Sequence, residues 1–244
     1  VVAPVADFIE LSRKVKSLDE LSSLFESTVK DMGFHRWAYQ IVNPPHDKER
    51  KPLILSNYPE KWVTHYIDNA YHLIDHVISK GPQEVMPFTW NFLCRKHGMT
   101  AQQKRFFNEA SDNGLPDGLG VPVHGSNGGY AMVSMATSTS PQELEKLLAH
   151  AGQDVHIISL VFNTMARDLL DALKIGFNPP TLTCREKECL LWLSRGKTAW
   201  DIGHILGVSE AVVRFHLANA RAKLGVLTSK EALVLAIMHK LIEP

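Results

Sequence analysis

A chain of 244 residues, 45% hydrophobic and formally neutral with 26 basic against 26 acidic side chains, has the length for one large domain and one small one, each with its own core. Three cysteines give no disulfide framework, and Cys184 and Cys189 fall on a helical pattern without zinc-ribbon geometry, so no metal is expected. No apolar run is long enough to cross a bilayer and no cleavable signal pattern stands at the start, so a cytoplasmic chain with no membrane partner is expected.

Val5, Phe8 and Ile9, then Leu18, Leu21, Phe25 and Val29, recur at helical spacing, with Ser17 and Glu20 placed as a capping box between two helices. RWAYQIV (36–42) and PLILS (52–56) are short, apolar and aromatic, and read as neighbouring strands joined by a polar loop at 43–51. Residues 59–80 are helical or mixed in character. Thr100 and Gln103 cap a helix running to Asn113, with Phe106 and Phe107 turned to the core. VPV (121–123) and YAMVSMA (130–136) form a hairpin across the turn HGSNGG, and Ser140, Pro141 and Glu143 start a long helix through Leu170. This order predicts an α/β domain, an antiparallel sheet between helices.

Gly176, Pro179 and Pro180 then break the helical pattern where the charge changes sign. Residues 176–244 carry nine Lys/Arg against six Asp/Glu, whereas residues 1–175 carry seventeen against twenty. The boundaries expected are a first domain at 1–172, a linker at 173–180 and a small all-α domain at 181–244. In the last, Thr183 with Glu186, Thr198 with Asp201 and Thr228 with Glu231 each signal a helix start. LGVSE packs a helix end, Gly207, a buried Val208 and the N-cap Ser209 into a connection short enough for a helix-turn-helix.

After Ser209, the residues Val213, Leu217, Ala220 and Leu224 face a core with Leu190, Leu193, Ile202 and Leu206. The opposite stripe exposes Arg214, Ala218 and Arg221, led by Glu210 and Ala211. A slim, hydrogen-bonding outer face suits the major groove of double-stranded DNA, and Lys197, Arg195 and Lys223 are of a type to meet phosphates. A solvated helical bundle with scattered charge has no need of so short a turn between capped helices.

In the first domain NYPEKWVTHYIDNAYHLIDHV (57–77) and PFTWN (87–91) bring together Tyr58, Trp62, Tyr66, Tyr71, Asp75 and Trp90. Buried jointly, these polar tips cost about 1–3 kcal/mol each if unpaired, and a small amphiphile with carbonyls and an amide would pair them. An aromatic core bonded to its own backbone stays open on the residues alone. Asp75, His72 or His76 and Ser134 make a hydrolytic triad only on paper, because no strand–nucleophile–helix elbow surrounds Ser134, and no enzyme is expected. Nothing in residues 1–60 supplies the acidic cluster of a phosphoryl receiver.

The stretch LTCREKECLLWLSRGKTAWDIGHILGVSEAVVRFHLANARAKLGV resembles the DNA-binding domain of the quorum-sensing LuxR-type transcriptional regulators. Glu186, Leu190, Gly196, Lys197, Thr198, Ile202, Leu206, Val208, Ser209, Val213, His216, Asn219, Lys223, Leu224 and Gly225 stand at its signature positions. Gly203 stands where alanine is usual, lowering helix propensity by up to ~1 kcal/mol. Val212 replaces a usual threonine and so removes a hydroxyl able to reach a phosphate. Residues 1–170 resemble the autoinducer-binding domain of the same family, which holds N-acyl-homoserine lactones between sheet and helices, and DGLGVPVHG matches its stretch before the last strands.

That resemblance implies roles. Trp62 would donate its indole N–H to the lactone carbonyl, and Asp75 would accept from the ligand amide. Tyr58, with Ser134, would bond the acyl carbonyl, while Tyr66 and Trp90 would wall the acyl chain and the lactone ring. The DNA face would comprise Lys197, Ser209, Arg214, Ala218 and Arg221. The family's Asp-Pro is here Asp75-His76, which leaves the carboxylate on a freer backbone. The function implied is an acyl-homoserine-lactone-responsive regulator in a Gram-negative cytoplasm, binding two-fold related half-sites as a homodimer and meeting RNA polymerase, with activation and repression both open. The alternative is an orphan regulator of the same type with no lactone or another small-molecule ligand.

Overall fold

Strict alternation along the strands sets the architecture of the N-terminal part, because successive side chains of a strand point to opposite faces. In the computed structural model, which describes residues 3–42, 52–124, 130–173 and 181–243, five strands form one sheet in the order β2-β1-β5-β4-β3, every pair antiparallel. These are β1 (Arg36–Val42), β2 (Leu53–Ser56), β3 (Phe88–Thr89), β4 (Asp117–His124) and β5 (Tyr130–Thr137). Both hairpin strands run further than VPV and YAMVSMA, pairing from Asp117↔Thr137 to His124↔Tyr130. The loop at 43–51, the turn residues 125–129 and the linker residues 174–180 lie outside the described residues.

Trp37, Tyr39 and Ile41 on β1, Leu119, Val121 and Val123 on β4, and Ala131, Val133 and Met135 on β5 point to one side. There they meet α1 (Ala3–Ser12), α2 (Leu18–Asp31) and α7 (Pro141–Ala172), with the Phe25 and Phe162 rings tilted against each other at 4.4 Å between centroids. Ser17 caps α2 as expected, although the Glu20 carboxylate takes the N–H of Lys16 rather than that of the cap itself. α7 begins with Ser140 and Glu143 in a full capping box and Pro141 in its first turn.

The other face carries a different set. Ala38 and Gln40 on β1 and Met132, Ser134 and Ala136 on β5 turn toward α3 (Glu60–Asp68), α4 (His76–Ser79), α5 (Trp90–His97) and α6 (Ala101–Asp112). Gly118 and Gly120 make this approach feasible, since a Cβ would lie 2.8 Å from Trp90 Cζ2 at the first and 2.6 Å from the Phe88 ring at the second. Thr100 and Gln103 cap α6 reciprocally.

The second unit is all helix: α8 (Cys184–Ser194), α9 (Ala199–Leu206), α10 (Glu210–Leu224) and α11 (Ser229–Met238). Thr183, Thr198 and Thr228 each cap with the acid three residues on. Leu190, Ile202, Val213, Leu217, Ala220 and Leu224 are buried together as expected, while Leu193, Leu206 and Val208 are half-buried at the margin of that core. α9 closes on Gly207 in the left-handed region, φ 67°, and the Val208 N–H returns to the Gly203 carbonyl at 2.9 Å. A Cβ on Gly203 would sit 2.8 Å from the Val208 carbonyl oxygen, so glycine here trades helix propensity for a turn drawn tight against α9. Among the described residues no helix is long and apolar enough to cross a membrane.

Candidate functional site

Between the polar-lined sheet face and α3–α6 lies a cavity with about 620 Å³ of atom-free space, its open mouth included. Tyr58, Trp62, Tyr66, Asp75, Trp90 and Ser134 all line it. Trp62 and Tyr66 project from α3, one turn apart. Trp90 opens α5 behind the Thr89 cap, and Ser134 stands on β5 opposite Ala38. The rest of the wall is largely apolar, with Ile54, Val63, Ile78, Phe106, Phe107 and Leu115.

Asp75 is the electrostatic centre. Its Oδ1 accepts the Val77 N–H at 2.8 Å, capping α4, and its Oδ2 accepts the Tyr66 hydroxyl at 3.1 Å. Burial pushes the carboxyl up to about 6, against the pull of the Val77 N–H and the Tyr66 hydroxyl. Burial, with the Asp75 charge added, raises the phenols of Tyr58 and Tyr66 in turn, which leaves both as hydroxyl donors at neutral pH. Among the described residues the Tyr58 hydroxyl and the Trp90 indole N–H are buried without a hydrogen-bond partner. A cavity with a carboxylate acceptor and unpartnered donors in apolar walls can hold an amphiphile bearing one amide and several carbonyl oxygens.

Several participants escaped the sequence reading. Gln40, buried on β1, lines the cavity, and its signal was a glutamine inside an otherwise apolar strand. Outside the cavity wall, Glu109 on α6 takes the Tyr71 hydroxyl at 2.6 Å, His65 Nε2 at 3.0 Å and Arg105 Nε at 2.8 Å, joining α3 to α6. The Tyr71 hydroxyl, then His65 and Arg105, hold that carboxyl down at about 2. His76, the residue after Asp75, is buried and its Nε2 lies 3.0 Å from Gln103 Nε2 at the start of α6. Among the described residues no group of His, Cys, Asp and Glu could hold a metal ion.

On the second unit, α10 presents Ala211, Val212, Arg214 and Phe215 to solvent, with Ser209 exposed as its N-cap and Lys197 exposed just before α9. Arg214 is splayed along its own helix by Glu210, with Nε 2.8 Å from Oε1. Two expectations need correction. Arg221 does not stand on an open stripe: it is half-buried, as is Ala218, and its Nη1 donates to the Leu227 carbonyl at 3.1 Å because the loop after α10 folds back over it. Lys223 does not present a free charge to phosphate, for its Nζ lies 2.8 Å from the buried Glu186 carboxylate. Phe215, 61% exposed beside Arg214, was not singled out by the sequence.

Residues 17–166 match the family described as autoinducer binding domain, and residues 180–236 match that of the bacterial regulatory proteins of the luxR family. The transcriptional activator protein LuxR of Aliivibrio fischeri is 33% identical over 237 residues, covering 95% of this chain and 93% of that protein. AnoR of Acinetobacter nosocomialis, also a transcriptional activator protein, is 31% identical over 232 residues, covering 95% and 96%. Among solved structures, Escherichia coli SdiA superposes with a TM-score of 0.78 at 21% identity over 98% of both chains. SdiA in complex with octanoyl-rac-glycerol gives 0.74 at 20% identity, over 96% of this chain and 93% of that one.

Proposed function

The chain belongs to the LuxR family of bacterial regulatory proteins, and on that premise we propose that its cavity receives an N-acyl-homoserine lactone whose binding prepares a dimer for two-fold related DNA half-sites. The observation that carries this reading is the pairing of Asp75 with unpartnered donors on Tyr58 and Trp90 in one apolar-walled cavity. The ligand amide is a lone donor and meets the lone carboxylate. Tyr58 and Ser134 serve the acyl carbonyl, Trp62 the lactone carbonyl, and Tyr66 and Trp90 flank the chain and ring. Each buried CH₂ adds ~0.8 kcal/mol, so a chain of roughly eight carbons links ligand occupancy to the stability of the fold.

On the DNA side, α10 enters the major groove with Arg214 leading, its fork released from Glu210 to meet a guanine edge. Lys197 and the Ser209 end of α10 approach the backbone, while Ala218 and Arg221 shape the helix more than they contact bases. Two-fold symmetry spaces the half-sites about one helical turn apart, and RNA polymerase is the expected further partner.

A second reading has one observation behind it: SdiA is described with octanoyl-rac-glycerol, an acyl chain on a head group that is no lactone. One experiment separates the two. The full chain is produced with a panel of acyl-homoserine lactones or with an acylglycerol, and the organic extract is analysed by mass spectrometry beside a thermal melt. Stoichiometric, length-selective retention of a lactone with a raised melting temperature supports the first reading. Retention of the acylglycerol alone supports the second.

A further inference from the structure

Gln40 is a polar side chain, 7% exposed, on the cavity face of β1. Its cross-strand neighbours are apolar, Ile54 on β2 and Met132 on β5. Ala38, two residues back on the same face, pairs with Ser134. The strand therefore sets Gln40 roughly 7 Å along the sheet from the serine proposed to meet the acyl carbonyl, one step further from the head-group end. The long Gln40 side chain reaches back toward that end: its amide stands by the Tyr66 hydroxyl, where it opposes the rise that burial imposes, and Tyr66 itself donates to Asp75 at 3.1 Å.

A glutamine amide brings two donors and two acceptor lone pairs. The Tyr66 hydroxyl takes up at most part of that capacity, and the wall around the amide, though largely apolar, also carries Tyr58, Asp75 and Ser134. Leaving that capacity unmet costs free energy, and a ligand oxygen at the same depth would meet it. A lactone with its amide on Asp75 and its carbonyl on Tyr58 and Ser134 runs its acyl chain from the Ser134 row toward the Gln40 row. The third acyl carbon, two bonds beyond the carbonyl carbon, is the first chain position from which a substituent can project at the Gln40 amide.

We propose that Gln40 selects acyl-homoserine lactones that carry an oxygen on the third acyl carbon, as an oxo or a hydroxyl group, by donating its amide N–H to that oxygen. The inference rests on the lactone reading of the cavity. An oxo group accepts one N–H; a hydroxyl accepts it and can return its own proton to the amide carbonyl. A methylene at this place offers the amide no acceptor.

The test uses the full chain and lactones of one chain length, unsubstituted, 3-hydroxy and 3-oxo, titrated calorimetrically against wild type, Gln40→Leu and Gln40→Met. Wild type should bind one or both oxygenated lactones about tenfold or more tighter than the unsubstituted one, the worth of one net buried hydrogen bond. Both variants should bring that ratio close to one while holding or improving affinity for the unsubstituted chain; either variant alone suffices if the other misfolds. Equal affinities in wild type overturn the proposal, and so does a variant that weakens every lactone by the same factor, which would make Gln40 a support for Tyr66. Binding of no lactone by wild type, with an acylglycerol bound instead, removes the lactone reading and this inference with it.

Discussion

Asp75→Asn should make the ligand-free protein more stable and its ligand response worse. In the folded chain Asp75 ionises at about 6, against 3.8 for a free side chain, because burial outweighs its hydrogen bonds. Between those values the folded state keeps a proton that the unfolded chain has lost, so stability falls as pH rises through that window and levels off above it. At about 1.4 kcal/mol per tenfold, the burden on the ligand-free fold is roughly 3 kcal/mol at pH 7 and roughly 1.5 kcal/mol at pH 5. Asparagine carries no charge, keeps an oxygen for the Val77 N–H, and can turn its amide toward the Tyr66 oxygen.

Urea denaturation without ligand, followed at pH 7 and pH 5, should therefore show the variant ahead, by less at the lower pH. Calorimetry with a lactone should show the opposite order, since the ligand amide would face an NH₂ group where it needs an acceptor, and a loss of a hundredfold or more is expected. Wild-type affinity should also fall up to tenfold for each pH unit below about 6, where the free carboxyl holds its proton, while the variant should be flat. A variant less stable than wild type at pH 7, or one that binds lactone normally, refutes the reasoning.

Three further substitutions separate the parts. Trp62→Ala removes a buried donor from the cavity wall and should shift the lactone dose response of a reporter to higher concentration by tenfold or more; an unchanged curve removes Trp62 from recognition. Arg214→Ala should abolish protection of a specific operator in footprinting while lactone uptake stays normal, and retained protection would show that α10 reads DNA through other side chains. Lys223→Met leaves the buried Glu186 carboxylate without its cation and should destabilise the C-terminal unit by about 1–3 kcal/mol, below the full cost of a broken buried pair because Lys223 is partly exposed. Reduced DNA affinity with an unchanged urea midpoint would instead return Lys223 to phosphate binding.

What the sequence made legible is what is decided locally. The capping boxes at Thr100, Ser140, Thr183, Thr198 and Thr228 are settled within four residues, and each is found where the spacing put it. The six cavity residues were reached through likeness to a family, for the residues alone left an aromatic core open. The Lys223–Glu186 pair spans 37 positions and has no local pattern to announce it. Arg221 was misread because helical period places it at the edge of the outer face, while only the path of the chain at Leu227 decides that its guanidinium is covered. Gln40 was visible as a letter, but its weight depends on which strand face meets the cavity, and that follows from the register of β1 with β2 and β5.

Asp75-His76 shows how a tertiary contact can stand in for a local one. His76 is the first residue of α4, the position where proline suits a helix because its missing N–H would have had no partner and its φ is already set. Losing proline frees the backbone beside the carboxylate, and the chain recovers the constraint through the side chain. Gln103 donates one amide hydrogen to the Ile74 carbonyl at 2.9 Å and turns the other toward His76 Nε2 at 3.0 Å, while its carbonyl oxygen closes the capping box of α6. An amide hydrogen turned toward Nε2 suits a neutral ring that accepts there, in keeping with burial, His97 and Lys80 all lowering its pKa. The carboxylate at the centre of the cavity is thus held in place by the start of α6, the helix whose Phe106, Phe107 and Ala110 form part of the cavity wall. A ligand that reshapes that wall acts through the same helix that orients Asp75, so pocket shape and carboxylate position are set together.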